Sequence, residues 1–97
     1  MEITIKSVDN RSVVAVNGRL DTNTAMELET ALNGVLASEL VLDCSALEYV
    51  SSAGLRVILA AHKRLTAEGK RLFISGVRAE VRSVFDMTGF SRILNIE

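Results

Sequence analysis

Two adjacent serines, Ser51 and Ser52, stand where an apolar run gives way to a helical repeat, and of all the residues in this 97-residue chain they are the best placed to do chemistry. Leu40, Val41 and Leu42 form a short unbroken apolar run, the pattern of a parallel strand covered on both faces, and Leu55, Ile58, Leu59 and Leu65 then recur at helical spacing. The serines therefore fall at a strand-to-helix junction. There the free backbone N–H groups and the positive end of the helix dipole favour an anion or a side-chain oxygen. A hydroxyl at that place can act as a helix N-cap, contributing about 1 kcal/mol, or as a phosphoryl acceptor. The roles are compatible, because a helix end that takes an oxygen cap also tolerates phosphate oxygens. Ala53 and Gly54 come next and are small. Either a partner approaches this turn closely, or Gly54 simply permits tight helix-to-strand packing.

Other chemistries find little support. Neither serine sits in a G-x-S-x-G elbow, and the chain has no phosphate loop and no dinucleotide fingerprint. His62, the only histidine, shares a face with Leu55, Ile58, Leu59 and Leu65, which predicts a satisfied histidine at the rim of the core rather than a general base. A serine hydrolase needs a base beside its nucleophile, and one histidine cannot build a multi-histidine metal site. The chain is expected to be no enzyme and to hold no cofactor or metal. Cys44 is the only cysteine, which rules out an intramolecular disulfide and fits a reducing compartment.

Charged residues around the junction have two readings each. Asp21, at the end of the second strand, falls on the same sheet edge as the Ser51 to Gly54 loop; it positions a serine or its attacker, or it begins a turn or caps the first helix. Asp43 is placed at the end of the central strand on that edge, with Ser45 close enough for a local turn contact. Arg56, Lys63 and Arg64 spread over the outer side of the second helix, forming a solvated face or a docking surface for an acidic partner.

The elements that must position these residues follow from periodicity. Met1, Ile3 and Ile5 alternate with polar residues, and after Asp9 and Asn10 the alternation resumes through Val14 and Val16, predicting a β-hairpin whose second strand closes at Gly18. Thr24 and Glu27 have capping-box spacing, and Ala25, Leu28, Ala31, Leu32 and Val35 make the inward stripe of a helix from about Thr24 to Ala37. After the central strand and helix, Leu72, Phe73 and Ile74 form a second buried strand. Val77, Val81, Val84, Phe85 and Thr88 repeat at helical spacing, with Gly89 as a left-handed cap and Phe90 as its apolar contact, and Ile93, Leu94 and Ile96 make a last strand. The order is ββαβαβαβ. Right-handed crossovers then give an α/β fold: a mostly parallel sheet with an N-terminal antiparallel hairpin and its helices mainly on one face.

Composition narrows the class. Apolar residues are 48% of the chain and aromatics 4%, so Val, Leu, Ile and Ala must build the core of a single domain spanning 1–97, with Phe73, Phe85 and Phe90 as its few large pieces. Eleven basic and twelve acidic residues are mixed along the chain without a basic run, which argues against nucleic acid as a partner. There is no signal peptide and no apolar run of membrane-spanning length, so a soluble cytoplasmic protein with no membrane association is expected.

Four blocks then resemble a known family. Gly18-Arg19-Leu20-Asp21, Leu40-Val41-Leu42-Asp43, the run from Val50 through Ser51, Ser52, Ala53, Gly54, Leu55 and Arg56 to Leu59, and Val84 to Phe90 are similar, in order and spacing, to the anti-sigma factor antagonists of the STAS domain family. The resemblance implies bacterial partner switching. The unphosphorylated antagonist binds an anti-sigma factor that is also a serine kinase, phosphorylation on one serine releases it, and a separate serine phosphatase restores it. It places the phosphoacceptor on Ser52, with Ser51 as second choice, the loop aspartate on Asp21, and the partner surface on Asp21, Thr22, Ser51, Ser52, Ala53, Gly54 and Arg56. A monomer or weak dimer is expected. The alternative is a constitutive interaction module of a larger signalling or transporter assembly. Two departures stand out: Ser51 occupies a place where many relatives carry aspartate, and the chain ends at Glu97, where many continue into a final helix.

Overall fold

A computed structural model describes all residues from Met1 to Glu97. The alternating N-terminal segment forms strand β1 (Glu2–Val8), which pairs antiparallel with β2 (Arg11–Leu20) around a turn where Asp9 takes a left-handed φ of 56°. The chain continues through helix α1 (Ala25–Asn33), β3 (Glu39–Val50), α2 (Ser52–Ala67), β4 (Arg71–Ser75), α3 (Ala79–Thr88), a short 3-10 turn over Phe90–Arg92 and β5 (Asn95–Ile96). The sheet runs β1-β2-β3-β4-β5, parallel from β2 onward. Both the ββαβαβαβ order and the sequential strands are as the periodicity predicts.

Pleating divides the sheet into two unlike faces. Val14 and Val16 of β2, Leu40, Leu42 and Cys44 of β3, and Leu72 and Ile74 of β4 join one buried cluster. Over them lie Leu28 and Leu32 of α1, Ile58 and Leu65 of α2, and Val81 and Phe85 of α3. All three helices thus cover one face. The other carries Val13, Val41 and Phe73 side by side in register. Val41 is buried there too, although it stands outside the main cluster, so the Leu40 to Leu42 run is covered on both faces as its apolarity implies, with the helices over one of them only.

Several boundaries differ from the periodicity, each for a local reason. Helix α1 stops at Asn33, with Gly34 at its cap, and does not reach Ala37. Strand β2 does not close at Gly18 but passes through it at φ 108°, and β3 does not end at Asp43 but runs on to Val50. Register shifts between Ala15 and Asn17 and between Gly18 and Arg19 mark bulges, which break strict alternation and hide this extension from a period-two reading. Val77 precedes α3 rather than opening it. The last strand is only Asn95–Ile96, because Phe90 to Arg92 coil into the 3-10 turn and leave Ile93 exposed. Gly89 does take the left-handed cap, φ 81°.

Candidate functional site at the start of the second helix

The long β3 delivers the chain straight into α2 through one residue. Ser51 is the N-cap: its backbone is extended, its Oγ accepts the Gly54 N–H at 3.3 Å, and its C=O accepts the Leu55 N–H at 2.9 Å. Its own N–H donates to the Leu20 carbonyl at 2.8 Å, which ties the β3–α2 junction to the end of β2. Gly54 completes this contact. A Cβ there would lie 2.5 Å from Leu20 Cγ and 3.1 Å from the Leu20 carbonyl oxygen, so only glycine lets α2 approach so closely. Gly54 is buried against Leu20 of β2, the tight helix-to-strand packing that a glycine permits. Ala53 is half-buried.

Ser52 differs from its neighbour. As the first residue of α2 it is exposed, and its hydroxyl makes no hydrogen bond within the protein. Of the two serines, the structure gives the capping role to Ser51 and leaves Ser52 free.

Asp21 occupies the adjacent loop and is half-buried. Its Oδ1 accepts the N–H groups of Asn23 at 3.0 Å and Thr24 at 3.2 Å, and its C=O accepts the Ala25 N–H at 2.8 Å. The turn-building reading of Asp21 is therefore the one its geometry describes. The capping box is not formed: Thr24 Oγ1 accepts the Asp21 N–H at 2.9 Å and donates to the Arg19 carbonyl at 2.8 Å, holding the loop closed rather than capping α1. Thr22 is exposed beside it. Between the starts of α1 and α2 lies a groove of about 330 Å³ whose walls include Thr22, Met26, Glu29, Ala53 and Arg56.

Cations of the outer helix face do not act together. Arg64 bonds the Leu32 carbonyl at 3.2 Å and pairs with Glu68 at 3.5 Å, so it ties α2 to α1 instead of waiting for a partner. Arg56 is exposed and in no ion pair. Sequence reasoning missed one cation: Arg19, whose guanidinium lies 4.2 Å from the centre of the half-exposed Tyr49 ring. The pairing of Arg19 with Tyr49 exists only because β3 continues past its bulge.

The remaining candidates lie apart. Asp43 sits within β3, and its Oδ1 accepts the Ser45 N–H at 3.0 Å, the local turn contact. Cys44 is fully buried, and burial first, then the Asp43 carboxylate, pushes its thiol up to about 12. His62 is ten residues beyond Ser52 on the same helix, roughly 15 Å at 1.5 Å per residue, too far to serve that hydroxyl as a base. Its ring is half-buried and Nδ1 is buried without a hydrogen-bond partner, so it is not the satisfied histidine expected. No helix is long and apolar enough to cross a membrane.

The family model described as "Mlab, STAS domain" matches residues 3–95, nearly the whole chain. The chain belongs to the STAS domain family. Within that family it is similar to a Bordetella bronchiseptica protein named as an anti-sigma factor antagonist, BtrV, with 31% identity over 99% of this chain and 85% of the relative. It is also 28% identical to the anti-sigma F factor antagonist of Paenibacillus polymyxa, covering 99% of this chain and 87% of that one. A crystal structure of an anti-sigma factor antagonist from Mycobacterium paratuberculosis superposes with a TM-score of 0.88 at 28% identity, over 98% of this chain and 83% of that chain. This STAS domain is thus of the anti-sigma factor antagonist type. Those relatives are regulatory proteins.

Proposed function

We propose that this STAS protein is the antagonist of a partner-switching pair: unphosphorylated, it binds an anti-sigma factor that is also a serine kinase, and phosphorylation of Ser52 releases it. The observation that carries the reading is the contrast between the serines. Ser51 spends its oxygen on the Gly54 N–H, whereas Ser52 offers a free hydroxyl on the first turn of α2. The names of its relatives support the same partner class. In the modification step the kinase transfers the γ-phosphoryl group of ATP to Ser52 Oγ, leaving ADP and a proton; a serine phosphatase hydrolyses the phosphoserine with water, returning the hydroxyl and releasing inorganic phosphate.

Release is electrostatic. The modified serine carries a charge of about −1.5 to −2 at neutral pH. Water solvates it in the free protein, but an unpaired charge pressed into an interface costs on the order of 3 to 5 kcal/mol, or about two to four decades of affinity. Ser52 projects away from the core, so modification leaves the scaffold in place. Binding is lost without unfolding.

The test is site-mapped mass spectrometry after incubation with the cognate kinase. Ser52→Ala is expected to keep partner binding and take no label, and Ser52→Asp to bind more weakly. A label confined to Ser51, or surviving in Ser52→Ala, overturns the assignment. Stable co-purification with a non-kinase partner and no phosphate on either serine would mark a constitutive interaction module instead.

A further inference from the structure

Arg56 stands four residues beyond Ser52 on α2, the spacing that brings two side chains together on one helix face. Both residues are exposed. Three other arginines on or beside the helices are spoken for: Arg64 by Glu68 and the Leu32 carbonyl, Arg82 by Asp86, and Arg78 by the Ser45 carbonyl. Arg56 has no carboxylate or carbonyl partner. Glu29 of α1 lines the same groove, yet the two form no ion pair. A side chain so placed has nothing to hold it in the unmodified protein.

We infer that Arg56 is the internal partner of the phosphorylated Ser52 side chain, folding back across one helical turn to donate its guanidinium N–H groups to the phosphate oxygens in a charge-assisted pair. This rests on the reading of Ser52 as the phosphoacceptor and assigns a second consequence to its modification. In the unmodified state the free guanidinium faces outward, beside Thr22, Met26 and Ala53, where it can meet an acidic group of the docked partner. Phosphorylation supplies a closer anion on the same turn. The cation is then engaged within the protein, while the phosphate, at about −1.5 to −2, stays net negative beside a single arginine, so a docking partner still meets uncompensated charge and finds the complementary cation withdrawn.

The arrangement fits what surrounds it. The charged groups around this turn are Arg56 on the same helix, Glu29 of α1 in the groove that Arg56 lines, Asp21 in the β2–α1 loop, and Arg19 near the end of β2, next to the Leu20 whose carbonyl Ser51 bonds. Asp21 already spends Oδ1 on the Asn23 and Thr24 amides, and Arg19 is stacked on Tyr49. Arg56 alone combines full charge, exposure, one-turn spacing and freedom from other partners.

The experiment installs phosphoserine at position 52 during synthesis, independently of any kinase, and follows the second phosphate ionisation by 31P NMR at low salt. The pair favours the dianion, so the midpoint in the parent protein is expected about 0.3 pH unit below that of Arg56→Gln, a shift sized on exposed one-turn ion pairs. Arg56→Lys should restore most of the shift. Lys63→Gln, two turns beyond Arg56, should leave the midpoint of the parent unchanged, and strong salt should erase the difference between parent and Arg56→Gln. Identical midpoints for parent and Arg56→Gln, or an equal shift in Lys63→Gln, would overturn the inference. Because the phosphate is placed chemically, this outcome is separate from the question of which serine a kinase selects: mapping the label to Ser51 would sink the phosphoacceptor assignment while leaving this titration unchanged.

Discussion

Two strand-to-helix junctions lie on the same edge of the sheet and differ sharply in construction. At β3–α2 a single residue makes the connection, its N–H fixed to the Leu20 carbonyl, its hydroxyl capping the helix, and Gly54 seated against Leu20. At β4–α3 three residues intervene, Gly76, Val77 and Arg78, and the helix starts without a side-chain cap; the segment is held by the Arg78 side chain on the Ser45 carbonyl at 2.9 Å. Both satisfy the same topology. Only the first anchors a helix start to a neighbouring strand through backbone, side chain and close packing together. Ser52 stands on the first turn of the helix anchored in this way.

Substitutions at the two glycines should break this comparison first. Gly54→Val drives a branched side chain into Leu20, and the overpacking is expected to cost about 3 kcal/mol, read as a lower Tm and denaturation midpoint. Gly76→Ala meets a left-handed φ of 67° and a Cβ contact of 3.0 Å to Ser45, a milder strain of about 1 to 2 kcal/mol. Equal losses at the two sites would mean that the β3–α2 junction is no tighter than the other.

Smaller effects sharpen the contrast between the serines. Ser51→Ala removes the cap on α2 and should cost about 1 kcal/mol. Ser52→Ala removes no internal bond and should stay within about 0.5 kcal/mol of the parent. Urea titrations of the pair are the check, and a reversed order would move the cap to Ser52.

High pH probes β3, the strand that feeds the tight junction. Burial pushes the folded Cys44 thiol from its ordinary value of 9.0 up to about 12, so the native state holds its proton where the unfolded chain has lost it. Its contribution is constant below pH 9 and is lost as pH rises from 9 towards 12. Stability measured across that window should fall in the parent and fall less in Cys44→Ala, and a thiol reagent at pH 8 should label Cys44 only after unfolding.

The sequence made some of this plain and concealed the rest. Unbroken apolar runs at Leu40 to Leu42 and Leu72 to Ile74 marked the central strands, and the helical stripes marked all three helices, because burial imposes those periods. The bulges left no such mark. They extend β3 to Val50, create the Arg19–Tyr49 stack, and bring the Ser51 N–H within reach of Leu20, none of which follows from a local pattern. Thr24 and Glu27 had the spacing of a capping box, but Asp21 satisfies the amides of that turn first, a competition that spacing alone does not decide. At the site, residue types pointed to a pair of serines. Which serine caps and which stands free is set by the backbone at the junction, where Ser51 is extended and Ser52 is already helical.

The account stands most directly on the affinity of the cognate anti-sigma factor for this protein with Ser52 unmodified and phosphorylated, measured by calorimetry alongside the Tm of each form. It predicts binding weaker by about two to four decades for the phosphorylated form, with the fold and Tm essentially unchanged. Equal affinities for the two forms, or a loss of binding that comes only with unfolding, would contradict it.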